Sequence, residues 1–194
     1  MIFKGTKTIA VSFIVLTSLP VWSAKITNPK CKDFVKINEK FTPEYMAFID
    51  GYGRRGAVPA ELVDVEGIVT ESVQVKEECA KDKAAKVQTV RKGLMKPAKV
   101  GTAANSLQGD IDRKSKSTIN LTKAKCTDFI ALGEEYQPVA AFWVAGHSKT
   151  GKIINGEIEE EYLERPVATL IEECKAEPTA SFYDKTKAWF KKHI

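Results

Sequence analysis

Histidine is almost missing from this chain: there are two in 194 residues, His147 inside "GHSKTGK" and His193 one residue from the end. Ser-His-Asp and Cys-His nucleophile devices, and histidine-built metal centres, therefore have almost nothing to draw on. Cysteine is scarce as well, and its four members are too far apart to form the close pairs of a zinc site. No run alternates apolar with polar residues strongly enough to predict a sheet. Carboxylates adjacent on a helix, such as Glu159 and Glu160, usually face water rather than a glycoside. "GHSKTGK" fits the first seven positions of a phosphate-binding loop. That loop needs a preceding strand and a Ser or Thr after the lysine, whereas here an aromatic helical stretch precedes and Ile153 follows Lys152. These absences predict a protein that is not an enzyme and needs no metal or cofactor.

Long apolar runs are confined to the N-terminus. Lys4 and Lys7 precede "IAVSFIVLTSLP" and then "VWSA", the pattern of an export signal, with a cut expected after Ser23 or Ala24. About 12 apolar residues are too few to span a bilayer that needs ~20, so no membrane association is expected after cleavage. Losing Lys4 and Lys7 takes the net charge from +5 to about +3. The basic excess lies between Gly93 and Lys123, where six basic residues meet two acidic ones. No aromatics interleave them, so a solvated connector is expected there and no nucleic-acid partner. Four cysteines in an exported chain are expected to be paired.

What is present is a duplication. "CKDFVKINEKFTP" from Cys31 returns as "CTDFIALGEEYQP" from Cys126, so that Cys, Asp, Phe and Pro recur at an offset of 95 without a gap. Gly51 matches Gly146, Glu66 matches Glu161, and "EEC" ending at Cys79 matches "EEC" ending at Cys174. Four cysteines allow three connectivities. A repeat of self-sufficient units favours Cys31 with Cys79 and Cys126 with Cys174, each bridge contributing about 4 kcal/mol in the chain-entropy account. The expected organisation is a signal over 1–23, one domain over 24–97, a flexible basic linker over 98–123 and a second domain over 124–194. If fully flexible, the connector would reach on the order of 30 Å, enough for the halves to meet.

Within each copy the period is helical. Val167, Leu170, Ile171 and Cys174 fall on one face, with Pro166 suited to the first helical position. The matching stretch has Thr70 as its expected N-cap and places Val73 and Cys79 inward. Thr42 and Pro43 open another helix, with Gly51 and Gly53 expected to end it. A last amphipathic stretch closes each copy, with Val87, Val90 and Leu94 in the first and Phe182, Trp189 and Phe190 in the second. The fold class expected is all-α: two tandem, small, disulfide-stapled helical bundles.

"CKDFVKINEKFTPEYMAF", "VDVEGI" and "EECAKDKAA", with "CTDFIALGEEYQPVAAFW" and "PTASFYDKTKAWFKK" in the second copy, resemble the HdeA family of periplasmic acid-stress chaperones. The resemblance covers both copies and leaves out the signal and connector. It implies a small helical domain with one disulfide of this spacing. It also implies ATP-independent holding of unfolded client proteins at very low pH by a neutral-pH dimer that loosens in acid. Two units in one chain depart from the single-unit pattern and suggest an intramolecular pseudo-dimer, although a homodimer also fits. A sequence pI near 8.9 is more basic than the family suggests.

Acid neutralises carboxylates while Lys and Arg stay charged and repel one another, so acid should loosen the helices while the disulfides keep the chain compact. Client-binding candidates are Phe48, Ile49, Phe142, Trp143, Trp189 and Phe190, core residues first and exposed on acidification. Candidate pH sensors are Asp33, Asp128, Glu66, Glu161, Glu78 and Glu173, each of which could equally be a solvated or capping carboxylate. A different class of function is a periplasmic interaction module that binds one defined partner at neutral pH.

Overall fold

The 95-residue offset reappears as geometry. The computed structural model describes residues 29–54, 62–94, 117–148 and 160–193, with side chains from Val167 onward in the last of these. The expected signal and most of the connector lie outside the described residues, as does the side chain of Glu161. In the first copy α1 spans Cys31–Phe34, α2 Thr42–Gly53, α3 Val65–Lys81 and α4 Val87–Leu94. The second copy repeats them as α5 (Cys126–Ile130), α6 (Gln137–His147), α7 (Glu160–Ala176) and α8 (Phe182–His193).

Both disulfides are those the repeat favours, Cys31–Cys79 and Cys126–Cys174, each with Cα atoms 4.8 Å apart. Each ties the first short helix of a copy to the end of its longest one. Backbone bonds repeat the match. Cys31 N–H donates to Ala85 (2.8 Å) as Cys126 donates to Ala180 (2.9 Å), and Val87 donates to Pro29 (3.1 Å) as Phe182 donates to Ala124 (3.0 Å). The start of each copy is thereby fastened to the start of its last helix, so the staple and these bonds close the unit at both ends.

Sequence and structure part in several places. The helix expected to start at Thr70 begins at Val65, because the Asp64 carboxylate caps it by accepting the Gly67 N–H at 2.9 Å. Pro166 likewise lies inside α7 rather than at its start. Val73 is 56% exposed. The inward face of α3 is Val65, Ile68, Ser72, Val75 and Cys79, and a residue six positions before Cys79 sits well off that stripe. Leu94, expected inward, is also exposed at the end of α4. One two-stranded ladder was not anticipated: β1 (Val63–Asp64) pairs antiparallel with β2 (Thr118–Ile119). The far end of the expected linker is thus strapped to the first copy, with Leu121 fully buried.

The most extensive contact between elements is that of α2 with α6. Both helices are buried nearly all round, Glu44–Gly51 in one and Val139–Gly146 in the other, as expected of a helix covered by its own copy on one side and by the other copy on the other. Gly51 does not end α2. A Cβ there would overlap the carbonyl oxygen of Trp143, and one at Gly146 would overlap that of Phe48. Phe48 and Trp143 are themselves matched by the repeat, so the two backbones touch around a local pseudo-twofold.

Either glycine changed to alanine forces these backbones apart. We expect Gly51→Ala or Gly146→Ala to lower unfolding free energy by about 1–3 kcal/mol in urea at neutral pH, and a melt superimposable on the parent would refute the close approach.

Candidate functional site

Asp50 sits in the apolar run "MAFIDGYG" on α2 and is only 3% exposed. Such a carboxylate is tolerable only if donors surround it. Arg54, one turn later on α2, places Nε 2.8 Å from Oδ2. Arg91 reaches across from α4, with one guanidinium nitrogen 2.5 Å from Oδ1 and Nε 2.7 Å from Glu71 of α3. The third donor to Asp50 comes from the other copy: the indole Nε1 of Trp143 donates to Oδ2 at 2.7 Å. One carboxylate thus gathers three helices of its own copy and one of the second. Burial opposes the charge on Arg91, but Glu71 and Asp50 outweigh it and raise its pKa.

On the far side of Trp143 the network continues by stacking. The His147 ring lies parallel to the indole with centroids 4.8 Å apart, and its Nδ1 is 3.0 Å from the Tyr183 hydroxyl. Phe142 meets Phe190 edge-on at 5.4 Å, and Phe129 stacks on Phe182 at 4.2 Å.

Glu44 is the other buried acid of α2, 9% exposed near its start, and one of its oxygens lacks a hydrogen-bond partner. Burial pushes its carboxyl up to about 7, against weaker pulls from a backbone hydrogen bond and from Lys40. Its neighbour Tyr45, whose hydroxyl is also buried without a partner, is raised by burial and by Asp33. The repeat places Val139 opposite Glu44, so this acid has no twin.

The six residues expected to meet clients are all in the core: Phe48, Ile49, Phe142, Trp143, Trp189 and Phe190 are each at most 7% exposed. The first four lie on α2 and α6, the helices joined at the junction, and the last two on α8. The expected pH sensors are more scattered. Asp33 is half-buried on α1, whereas Asp128 is exposed and caps its own helix by accepting the Lys125 N–H at 2.8 Å. Glu78 is half-exposed and pairs with Lys81, and Glu173 is exposed. Glu66 is half-buried where the copies meet, and with Glu135 and Asp64 it raises the pKa of Tyr136, after burial. Asp50, Glu44, Glu71, Arg54 and Arg91 were not anticipated; the available signal was a charged residue interrupting an apolar run. Among the described residues, no group of three His, Cys, Asp or Glu is placed to hold a metal ion, and no helix is long and apolar enough to cross a membrane.

Glu44 makes a pH-dependent contribution of definite sign. Between about pH 4.5 and 7 its carboxyl keeps its proton in the folded chain and loses it in the unfolded one. Its stabilisation is therefore complete below pH 4.5 and lost as pH rises through about 7, a swing of about 3 kcal/mol. Glu44→Gln should raise unfolding free energy by roughly 2–3 kcal/mol at pH 8 and leave it nearly unchanged at pH 4. Urea titrations at both values check this, and an equal change at both would contradict it.

Comparison with known proteins agrees with this duplicated architecture. The profile of the HdeA/HdeB family matches twice, over residues 7–89 and 98–184. Proteins described as "Probable acid stress chaperone HdeA" from Brucella ovis, Brucella abortus and Brucella melitensis are each 38% identical over 81 residues, which is 42% of this chain and 68% of theirs. No solved structure matches significantly. With two family matches that together cover most of its length, each holding one copy of the stapled bundle, the chain belongs to the HdeA/HdeB family.

Proposed function

We propose that this chain is an ATP-independent chaperone of the periplasm that holds acid-unfolded client proteins on apolar helix faces released at low pH. Family membership and the likeness to acid stress chaperones support the chaperone role. The basic and apolar N-terminal segment supports export. The observation that carries the rest is the Asp50 junction, a buried carboxylate joining α2 to α6 directly over the aromatic residues a client would need.

As folded, Phe48, Ile49, Phe142 and Trp143 are unavailable, so client binding requires α2 and α6 to part. In this reading the two copies act as an intramolecular pseudo-dimer. Protonating Asp50 removes the charge that the Arg54 and Arg91 guanidiniums face. Arg91 then keeps only Glu71, which acid neutralises in turn. Removing one partner of a buried ion pair costs about 3–5 kcal/mol, comparable with the stability of a small domain. In acid about 28 Lys and Arg, the 30 of the chain less Lys4 and Lys7 of the signal, remain charged and repel one another. Asp33, Asp128, Glu66, Glu78, Glu161 and Glu173 add to the loosening wherever they support the neutral fold. The disulfides hold each opened copy within its own loop. Glu44 acts in the opposite sense, since acid relieves its burial, and so it limits how far α2 itself unravels.

The test is light scattering of an acid-labile client together with tryptophan emission across a pH titration. Aggregation should be suppressed near about pH 2–3 and not near 7, and Asp50→Asn should move the emission change to higher pH by roughly one unit or more. Equal aggregation at both pH values defeats the reading. A single stoichiometric partner captured at neutral pH would instead favour an interaction module.

A further inference from the structure

The junction between the copies is not symmetric. Under the 95-residue offset, Trp143 corresponds to Phe48 and Asp50 to Ala145, while Gly51 and Gly146 make equivalent close approaches. One side of the pseudo-twofold holds the Trp143 to Asp50 bond, and its mirror position holds Phe48 and Ala145. Two of the three supporting charges are one-sided too, because Arg91 corresponds to Thr186 and Glu71 to Pro166, whereas Arg54 corresponds to Lys149.

We infer that the α2 face of the first copy and the α6 face of the second select each other, so that the Trp143 to Asp50 bond rejects pairing of either copy with its own kind. The inference rests on the pairing of copies proposed above. Two first copies packed in the same geometry would each set Asp50 against Phe48, leaving both carboxylates without the indole donor. Two second copies would each set Trp143 against Ala145. The indole N–H, on a residue now only 3% exposed, would then be buried with no acceptor. Each like pairing repeats its defect twice, whereas the unlike pairing has none. A chain carrying both faces therefore closes on itself, or on another chain only by exchanging unlike halves.

The test uses the full chain with a protease site inserted within residues 98–116, folded and oxidised before cleavage. The cut protein is unfolded in urea with its disulfides intact, refolded by dilution at neutral pH and weighed by native mass spectrometry, which separates the two pieces by mass. Unlike pairs should exceed like pairs by at least about tenfold over the statistical ratio. Trp143→Phe and, independently, Asp50→Asn should each lower that excess at least about fivefold, toward the preference that the β1–β2 ladder gives by itself. Cleavage leaves β2 on the second piece in every variant, so the differences between variants read the bond alone. A statistical mixture from the parent, or selectivity unchanged in both variants, overturns the inference while leaving the pairing of copies standing. Pieces that remain single at neutral pH overturn the pairing itself and the inference with it.

Discussion

A carboxylate taken out of water must be answered by donors, and Asp50 is answered by three. Arg54 lies on its own helix, Arg91 on α4 with Glu71 of α3 behind it, and Trp143 on the other copy. Arg91, Glu71 and Trp143 are themselves largely buried, so none of these three can leave without stranding another. The packing of α2 on α6 through Gly51 and Gly146 brings the indole within reach, and the bond in turn fixes the register of that packing. Junction and core are one arrangement.

What the sequence made legible was what repeats locally. The cysteine pairing, the helical period and the two-bundle organisation all follow from residues recurring at fixed spacing, and the matched backbone bonds at Cys31 and Cys126 carry the same regularity. Val73 was misplaced because a spacing of six residues lies well off the face of Cys79, which Ser72 and Val75 share, and the start of the helix was misplaced because the capping Asp64 lies upstream of Thr70. Gly51 read as a terminator because a glycine's use in close approach is visible only once the opposing backbone is known. Asp50 and Trp143 are 93 residues apart, and unlike the cysteines they are not repeated, so no comparison of one copy with the other could pair them.

The two buried acids of α2 have opposite surroundings. Charge on Asp50 is matched by guanidiniums, so an uncharged group there would strand cations in the core. Charge on Glu44 is matched by little, so neutralising it relieves the core. They stand within two turns of the same helix. Under the proposed mechanism acid would weaken the contact between copies while favouring the beginning of α2, an outcome closer to parting than to melting.

The short ladder between Val63–Asp64 and Thr118–Ile119 is a second link between the copies. It fastens the segment entering the second copy to the first, with Leu121 anchored beside it, and none of its strand pairing depends on the Asp50 junction. Under the proposed opening, halves that separated along α2 and α6 while this ladder held would stay joined like the covers of a book at a spine near Asn120 to Lys123. Closing them again would be a rotation rather than a search.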